Sequence, residues 1–212
     1  MMAPKAMRKL FGVLLMGSLL ANSAQAATAE AVDTAMKKAV SYIYAKQNSN
    51  TGTWEEPPRN QAGPENDPSG GQWGGMTALA TYSLLAAGEK PGDPRLKKAL
   101  DFLVTTDDMM GIYALGIRAQ VWTLVPHTEE VKKAIRRDYE LLNKAVDANG
   151  RYGYLVGPDK KLIHNSTSQY GVLGIWACVE SGEIPGLVGQ EYWSQVENGW
   201  RACQGADGGG RY

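Results

Sequence analysis

Met76-Thr77-Ala78-Leu79-Ala80-Thr81-Tyr82-Ser83-Leu84-Leu85-Ala86-Ala87 decides the fold: it is a helical run with apolar residues on every side, broken only by Thr77, Thr81 and Ser83. A helix of that kind is buried all round, whereas a helix with a single apolar stripe lies on a surface. Residues 109–125 and 168–180 have the same all-round character. Striped helices alternate with them. Val32, Ala35, Met36, Ala39, Val40 and Ile43 form an i, i+3, i+4, i+7 stripe in a helix over 31–45, with Lys37, Lys38 and Ser41 off it. Leu96, Ala99, Leu100 and Leu103 stripe a helix that starts at Asp93-Pro94. Val131, Ala134, Ile135, Tyr139 and Leu142 stripe 129–146, and Trp193, Val196, Trp200 and Cys203 stripe 190–203. Strict alternation predicts an inner ring of helices wrapped by an outer ring, whose helix ends surround a central cavity.

End signals agree with this. Asp93 is an N-cap followed by Pro94 at the first helical position, Thr128 precedes the acids Glu129 and Glu130, and Gly88 and Gly182 follow buried helices. No stretch alternates with period two for long. The class read from the chain is all-α, with two long connections over 55–75 and 151–165.

The first residues stand outside the fold. Lys5, Arg8 and Lys9 form a basic start, 10–21 is apolar, and Ala24-Gln25-Ala26 is a small-x-small cleavage site. Residues 1–26 therefore read as a secretory signal peptide cut before Ala27, and the expected location is periplasmic or secreted. The apolar run falls short of the about 20 residues that a membrane span needs. The whole chain balances 22 Lys and Arg against 22 Asp and Glu. Losing the signal removes only positive charges, so the mature protein is slightly acidic. That balance disfavours nucleic acid and anionic membranes as partners. Cys178 and Cys203 enter an oxidising compartment if the chain is exported and can pair there. Both also sit in apolar helical stretches, where a cysteine behaves as a small buried hydrophobe.

The turns after the striped helices repeat. The first reads Gln47, four residues, then Gly52-Thr53-Trp54. The third reads Asn149-Gly150-Arg151-Tyr152-Gly153-Tyr154, and the fourth Gln204-Gly205-Ala206-Asp207-Gly208-Gly209-Gly210. In each, a glycine lets the chain leave the helix in a left-handed turn, and in the first and third a nearby aromatic packs across to the next hairpin. Repetition at this spacing marks a helical-repeat array. At these turns the chain resembles the terpenoid cyclase and protein prenyltransferase superfamily of α/α toroids. Gln47…Gly52-Thr53-Trp54 is similar to the glutamine–tryptophan motif of squalene and hopene cyclases. Gly75-Met76-Thr77-Ala78-Leu79-Ala80 and Asn165-Ser166-Thr167-Ser168-Gln169-Tyr170-Gly171 resemble the cyclase-like repeat region of secreted bacterial proteins. The resemblance implies a toroid of helical hairpins in residues 27–212, incomplete here because such rings close with about six hairpins. It departs at Tyr152 and Gly210, where the motif has Trp, and the turn after Val104 lacks the motif. A truncated array leaves the face of the last buried helix, with Tyr170, Leu173 and Trp176, uncovered, so residues 27–212 are expected to self-associate.

The resemblance also implies where chemistry would sit. Cyclases protonate an alkene with the middle Asp of Asp-x-Asp-Asp at an inner-helix N-terminus, and Thr105-Thr106-Asp107-Asp108 is the matching stretch. Asp107 falls on the proton donor and Asp108 on its neighbour. As acids at a helix start they are expected, ahead of any catalytic role, to cap orphan N–H groups. Thr77, Tyr113, Arg118, Ser168, Gln169 and Tyr170 are candidates for the lining of a central cavity. Arg118 inside an apolar helix demands a partner. No metal or cofactor set is read: there is no Cys-x-x-Cys or His-Glu-x-x-His, and His127 and His164 read as solvated residues beside helix starts. One adjacent acid pair does not straddle a glycosidic bond. The expected function is a secreted, non-catalytic scaffold or ligand-binding module of a longer protein. Its partner is an apolar or carbohydrate ligand or the protein's other domains. The alternative is a cyclase-like or carbohydrate-active enzyme.

Overall fold

The computed structural model describes residues 27–56, 71–157, 163–184 and 189–210. Two compact units divide the chain, Met1–Lys38 and Ala39–Tyr212. In the first, the described part is helical from Ala29, and Thr28 Oγ1 accepts the Ala31 N–H at 3.2 Å as its cap. The second unit carries the core.

Seven helices are present among the described residues: α1 Ala29–Ala45, α2 Gly75–Ala86, α3 Pro94–Thr105, α4 Ile112–Trp122, α5 Glu129–Ala145, α6 Asn165–Glu180 and α7 Gln190–Ala202. No strand accompanies them; two isolated bridges, Gly111 with Leu155 and Gln204 with Gly210, are the extended pairings. In the second unit α2 packs on α4 and α4 on α6, while α3 packs on α5. The apolar helices thus form one layer and the striped helices α3 and α5 lie against it. No described helix is long and apolar enough to cross a membrane.

Among the described helices, α4 alone has no exposed residue. Every residue from Ile112 to Trp122 is buried or half-buried. Its neighbours are not equally enclosed, which corrects the expectation of three fully buried helices: α2 exposes Met76 (59%) and Leu79 (46%), and α6 exposes Trp176 (50%). The reason is position, since α4 has an inner helix on either flank and α2 and α6 have one each. The α4–α6 approach relies on two glycines. A Cβ on Gly116 would overlap the Tyr170 carbonyl, and a Cβ on Gly174 would stand 2.5 Å from Leu142 Cδ1 and 3.1 Å from Gly116 Cα.

The two layers end their helices differently. Asp93 caps α3 through the Arg95 N–H at 2.9 Å, and Thr128 caps α5 through the Val131 N–H at 3.4 Å. Both caps are local. The inner helices α2 and α4 have no capping side chain of their own. Instead Glu55 Oε1 accepts from Thr77 N at 2.8 Å, and Gln72 Oε1 accepts from Ala114 N at 3.2 Å. Orphan N–H groups at a helix start need such acceptors, and here the connection between α1 and α2 supplies both.

The repeated turns have a common geometry. Asn48 N–H donates to Thr53 O at 2.9 Å, Asp147 N–H to Arg151 O at 2.8 Å, and Gly205 N–H to Gly209 O at 2.6 Å. Gly52, Gly150 and Gly208 take positive φ of 73°, 73° and 79°. The Gln47 amide donates to Gly52 O at 2.8 Å and the Gln204 amide to Gly208 O at 3.0 Å. Turns one and three also grip the next striped helix. A Cβ on Gly52 would overlap Lys98 of α3, and a Cβ on Gly150 would overlap the Gln195–Val196 backbone of α7.

Candidate functional site

None of the sequence-predicted residues lines either of the two concavities described below. Asp107 and Asp108 are exposed and lie in an extended stretch before α4, whose N-cap is Gly111. The helix therefore starts three residues later than the predicted 109, and the expected capping by these acids gives way to Gln72. Extended pairing causes the delay: Ile112 N–H donates to Tyr154 O at 2.9 Å and Val156 N–H to Met110 O at 2.8 Å.

Thr77 and Ser168 are buried and play matching parts in the first turns of α2 and α6. Thr77 Oγ1 accepts the Trp54 N–H at 3.1 Å, and Ser168 Oγ accepts the Tyr152 N–H at 3.0 Å. Each hydroxyl anchors the aromatic of its repeat turn to the following inner helix. Tyr113 and Tyr170 do come together, edge to face at 5.0 Å between ring centroids. Tyr154 joins Tyr113 at 6.0 Å and His164 at 5.4 Å. Tyr113 OH donates to Ser166 Oγ at 2.8 Å, which ties the starts of α4 and α6 together. Gln169 is exposed.

Arg118 is fully buried in the core. Its side chain and that of Asp138 on α5 are both fully buried and ion-paired. Nε donates to Asp138 Oδ2 at 3.0 Å and Nη2 to Oδ1 at 2.5 Å. Trp122 Nε1 donates to the same carboxylate at 2.8 Å. Arg118 Nη1 reaches the Thr106 carbonyl at 2.6 Å, and Arg137 Nη1 takes the Val104 carbonyl at 3.0 Å. Two guanidinium groups thus satisfy the C-terminal carbonyls of α3, where the helix dipole favours a cation. This is the repeat whose turn lacks the glycine motif, and the buried cluster performs the same task of joining one hairpin to the next.

A concavity lies elsewhere, beside α2. A cleft of about 830 Å³ is lined by Tyr42, Ile43, Trp54, Met76, Leu79 and Ala80, with Lys46, Asn48, Thr53, Glu55, Glu56 and Ser83. Most of its polar groups are engaged within the protein. Trp54 Nε1 donates to Ile43 O at 2.7 Å. Asn48 Oδ1 accepts from Asn50 and Thr51 N–H groups at 3.0 and 3.2 Å, and Ser83 Oγ donates to Leu79 O at 2.8 Å. Glu55 holds the start of α2. What faces outward is an apolar floor with the charges of Lys46 and Glu56 at its edge. None of these residues was singled out as a site from sequence, because α2 read as buried all round. Among the described residues α2 packs on one inner helix, α4, and its stripe Met76, Leu79, Ala80 and Ser83 faces the cleft with Tyr42, Ile43 and Trp54. A second hollow of about 440 Å³ is lined by Val40, Ser41, Tyr44, Ala45, Glu89 and Arg95. Asp107 and Asp108 line neither.

Electrostatics disfavour an activated nucleophile among the shifted groups. Burial raises the Cys178 thiol and the Tyr152 phenol, and pushes Tyr192 up to about 12. Tyr44 is raised by burial and by its bond to Glu89. Cys178 and Cys203 are both unpaired. Among the described residues, no group of three His, Cys, Asp or Glu is placed to hold a metal ion. Compared with known proteins, the chain matches no family model, no curated protein and no solved structure.

Proposed function

We propose that this chain is an exported helical-repeat module, built on the α/α-toroid plan, which binds an apolar ligand and transforms nothing. The cleft beside α2 carries this reading. Its volume falls in the range of ligand pockets, and its floor is apolar. Its polar groups are largely spent on internal hydrogen bonds, which suits binding better than proton transfer. The turn resemblance supports the toroid plan, and the sequence of residues 1–26 supports export with a mature start at Ala27.

The test uses mature chain 27–212 at high dilution. An environment-sensitive apolar dye should bind saturably, and Leu79→Glu should abolish binding with the far-ultraviolet circular dichroism unchanged. Incubation with squalene-type polyprenes should give no cyclic product. Dye binding indifferent to Leu79→Glu would remove the cleft from the reading. A cyclic product lost in Asp107→Asn would replace the module with an enzyme.

A further inference from the structure

We infer that the fourth repeat turn, residues 204–210, is a docking site for the start of α5 on a second copy of this chain. The inference is independent of the cleft beside α2. Turns one and three show what such a turn holds. In both, the glycine of positive φ is buried and a striped helix lies against it. In turn one the Gln47 amide also donates to the Arg95 carbonyl at 3.0 Å, and Lys98 Nζ donates to the Ser49 carbonyl at 3.1 Å. In turn three the carbonyl of Asn149, the residue before the glycine, stands against Gly199 of α7. Turn four has the same internal bonds but, among the described residues, no helix against its glycine. Gly208 is exposed, and a Cβ placed on it would meet only the Gln204 amide of its own turn, 3.9 Å away.

The chain also contains the matching helix without a turn. Lys98 is the fifth residue of α3, in Leu96-Lys97-Lys98-Ala99-Leu100, and Lys133 is the fifth residue of α5, in Val131-Lys132-Lys133-Ala134-Ile135. The two helices bury the same places, Leu96 and Ala99 in one and Val131 and Ala134 in the other, and both leave that lysine exposed. Yet α5 follows the turn that lacks the motif, and among the described residues no glycine of positive φ lies against it. Charge matches as well. Lys132 is paired with Glu129 and Arg136 with Glu183, and Glu130 is engaged by its own backbone N–H and by Thr128. That leaves Lys133 with no ion pair among the described residues. Facing it in the docked pair is Asp207, exposed and directly before the glycine, and opposite charges across a contact fix its register. One turn and one helix start make a heterologous pair, and two such pairs close a dimer.

Sedimentation velocity on mature chain 27–212 tests the proposal. Wild type should dimerise with rising concentration. Lys133→Glu and Asp207→Lys each set like charges across both contacts and should weaken the dimer about tenfold or more. Gly208→Asn should weaken it too: asparagine tolerates the left-handed turn, but its side chain fills the space that the helix takes. All three residues are exposed, so far-ultraviolet circular dichroism should be unchanged. An equimolar mixture of the Lys133→Glu and Asp207→Lys proteins should dimerise about as well as wild type. One contact then keeps Asp207 with Lys133, and the other sets the introduced lysine against the introduced glutamate. Leu79→Glu should leave the dimer intact, so that loss of the cleft and loss of this contact read separately. A wild type that stays monomeric at the highest attainable concentration overturns the inference. So does a dimer that Lys133→Glu leaves intact, a mixture that stays as weak as its two parts, or a dimer lost in Leu79→Glu, which would move the contact to the cleft.

Discussion

Replacing Asp138 by Ala leaves the Arg118 guanidinium fully buried with its ionic partner gone. In the native protein Asp138 accepts from Arg118 Nε and Nη2, from Trp122 Nε1 and, at 3.4 Å, from Arg137 Nε. Removing one member of a buried pair costs about 3–5 kcal/mol, because the surviving charge has lost both water and counter-ion. The Trp122 N–H loses its acceptor as well, which adds about 1–3 kcal/mol if no water replaces it. Single domains hold about 5–15 kcal/mol in total, so Asp138→Ala should lose a large fraction of the stability. At about 2–4 °C per kcal/mol for a chain of this size, Tm should fall by at least about 6 °C. Urea titration followed by circular dichroism gives the free energy directly. The double variant Arg118→Met/Asp138→Leu is the control. It removes both charges, and buried pairs exchanged for apolar residues are often neutral. Here the Thr106 carbonyl loses its donor, while the Leu103 and Val104 carbonyls keep Arg137. The double variant should therefore fall between wild type and Asp138→Ala. An Asp138→Ala protein within about 1 kcal/mol of wild type, or a double variant no more stable than the single, would refute the role given to this cluster.

Other outcomes follow from the same geometry. Gly150→Ala should destabilise far more than Gly88→Ala in thermal melts: both sites have positive φ, but a Cβ on Gly150 overlaps the α7 backbone while one on Gly88 meets open space. Asp93, held down to about 2 mainly by its hydrogen bond from Arg95, should stabilise fully above the ordinary carboxylate value of about 4 and lose that contribution as pH falls through about 2. Melts of Asp93→Ala and wild type should accordingly converge across that window, and a gap that persists below it would count against the assignment. Cys178 should resist a thiol reagent in the native protein, since burial keeps its thiol protonated, whereas half-exposed Cys203 should react. Asp107→Asn should leave stability within about 0.5 kcal/mol, as expected for an exposed residue; a larger loss would restore it to a structural or catalytic role.

How far the sequence could be read depends on the range of each interaction. The striped helices and their caps were legible because stripe and cap are local. Asp93 and Thr128 sit next to the N–H groups they hold. The repeat turns were legible for the same reason, since a glutamine or asparagine and a glycine, joined by an aromatic in the first and third, fall within eight residues. The caps of α2 and α4 were not legible. Glu55 and Gln72 lie 22 and 42 residues from the N–H groups they accept, and the pairing of Gly111 with Leu155 moved the start of α4 away from Asp107 and Asp108. Arg118 announced that it needed a partner, yet Asp138 on α5 has the same residue type as many solvated acids, and only the fold selects it.

The cleft escaped notice for a related reason. Composition reports that α2 is apolar on all faces but does not report how many neighbours it has. An inner helix in the middle of an array and one at its flank have the same sequence character, because both are built to be covered. The difference appears only when the layer is assembled and α4 has a helix on each side while α2 has one. On that flank an apolar helix face, an aromatic wall from Trp54 and Tyr42, and charges of both signs stand together beside a cleft. The apolar character of α2 therefore tells that its faces are built to be covered, and only the assembled layer tells which of them stands open.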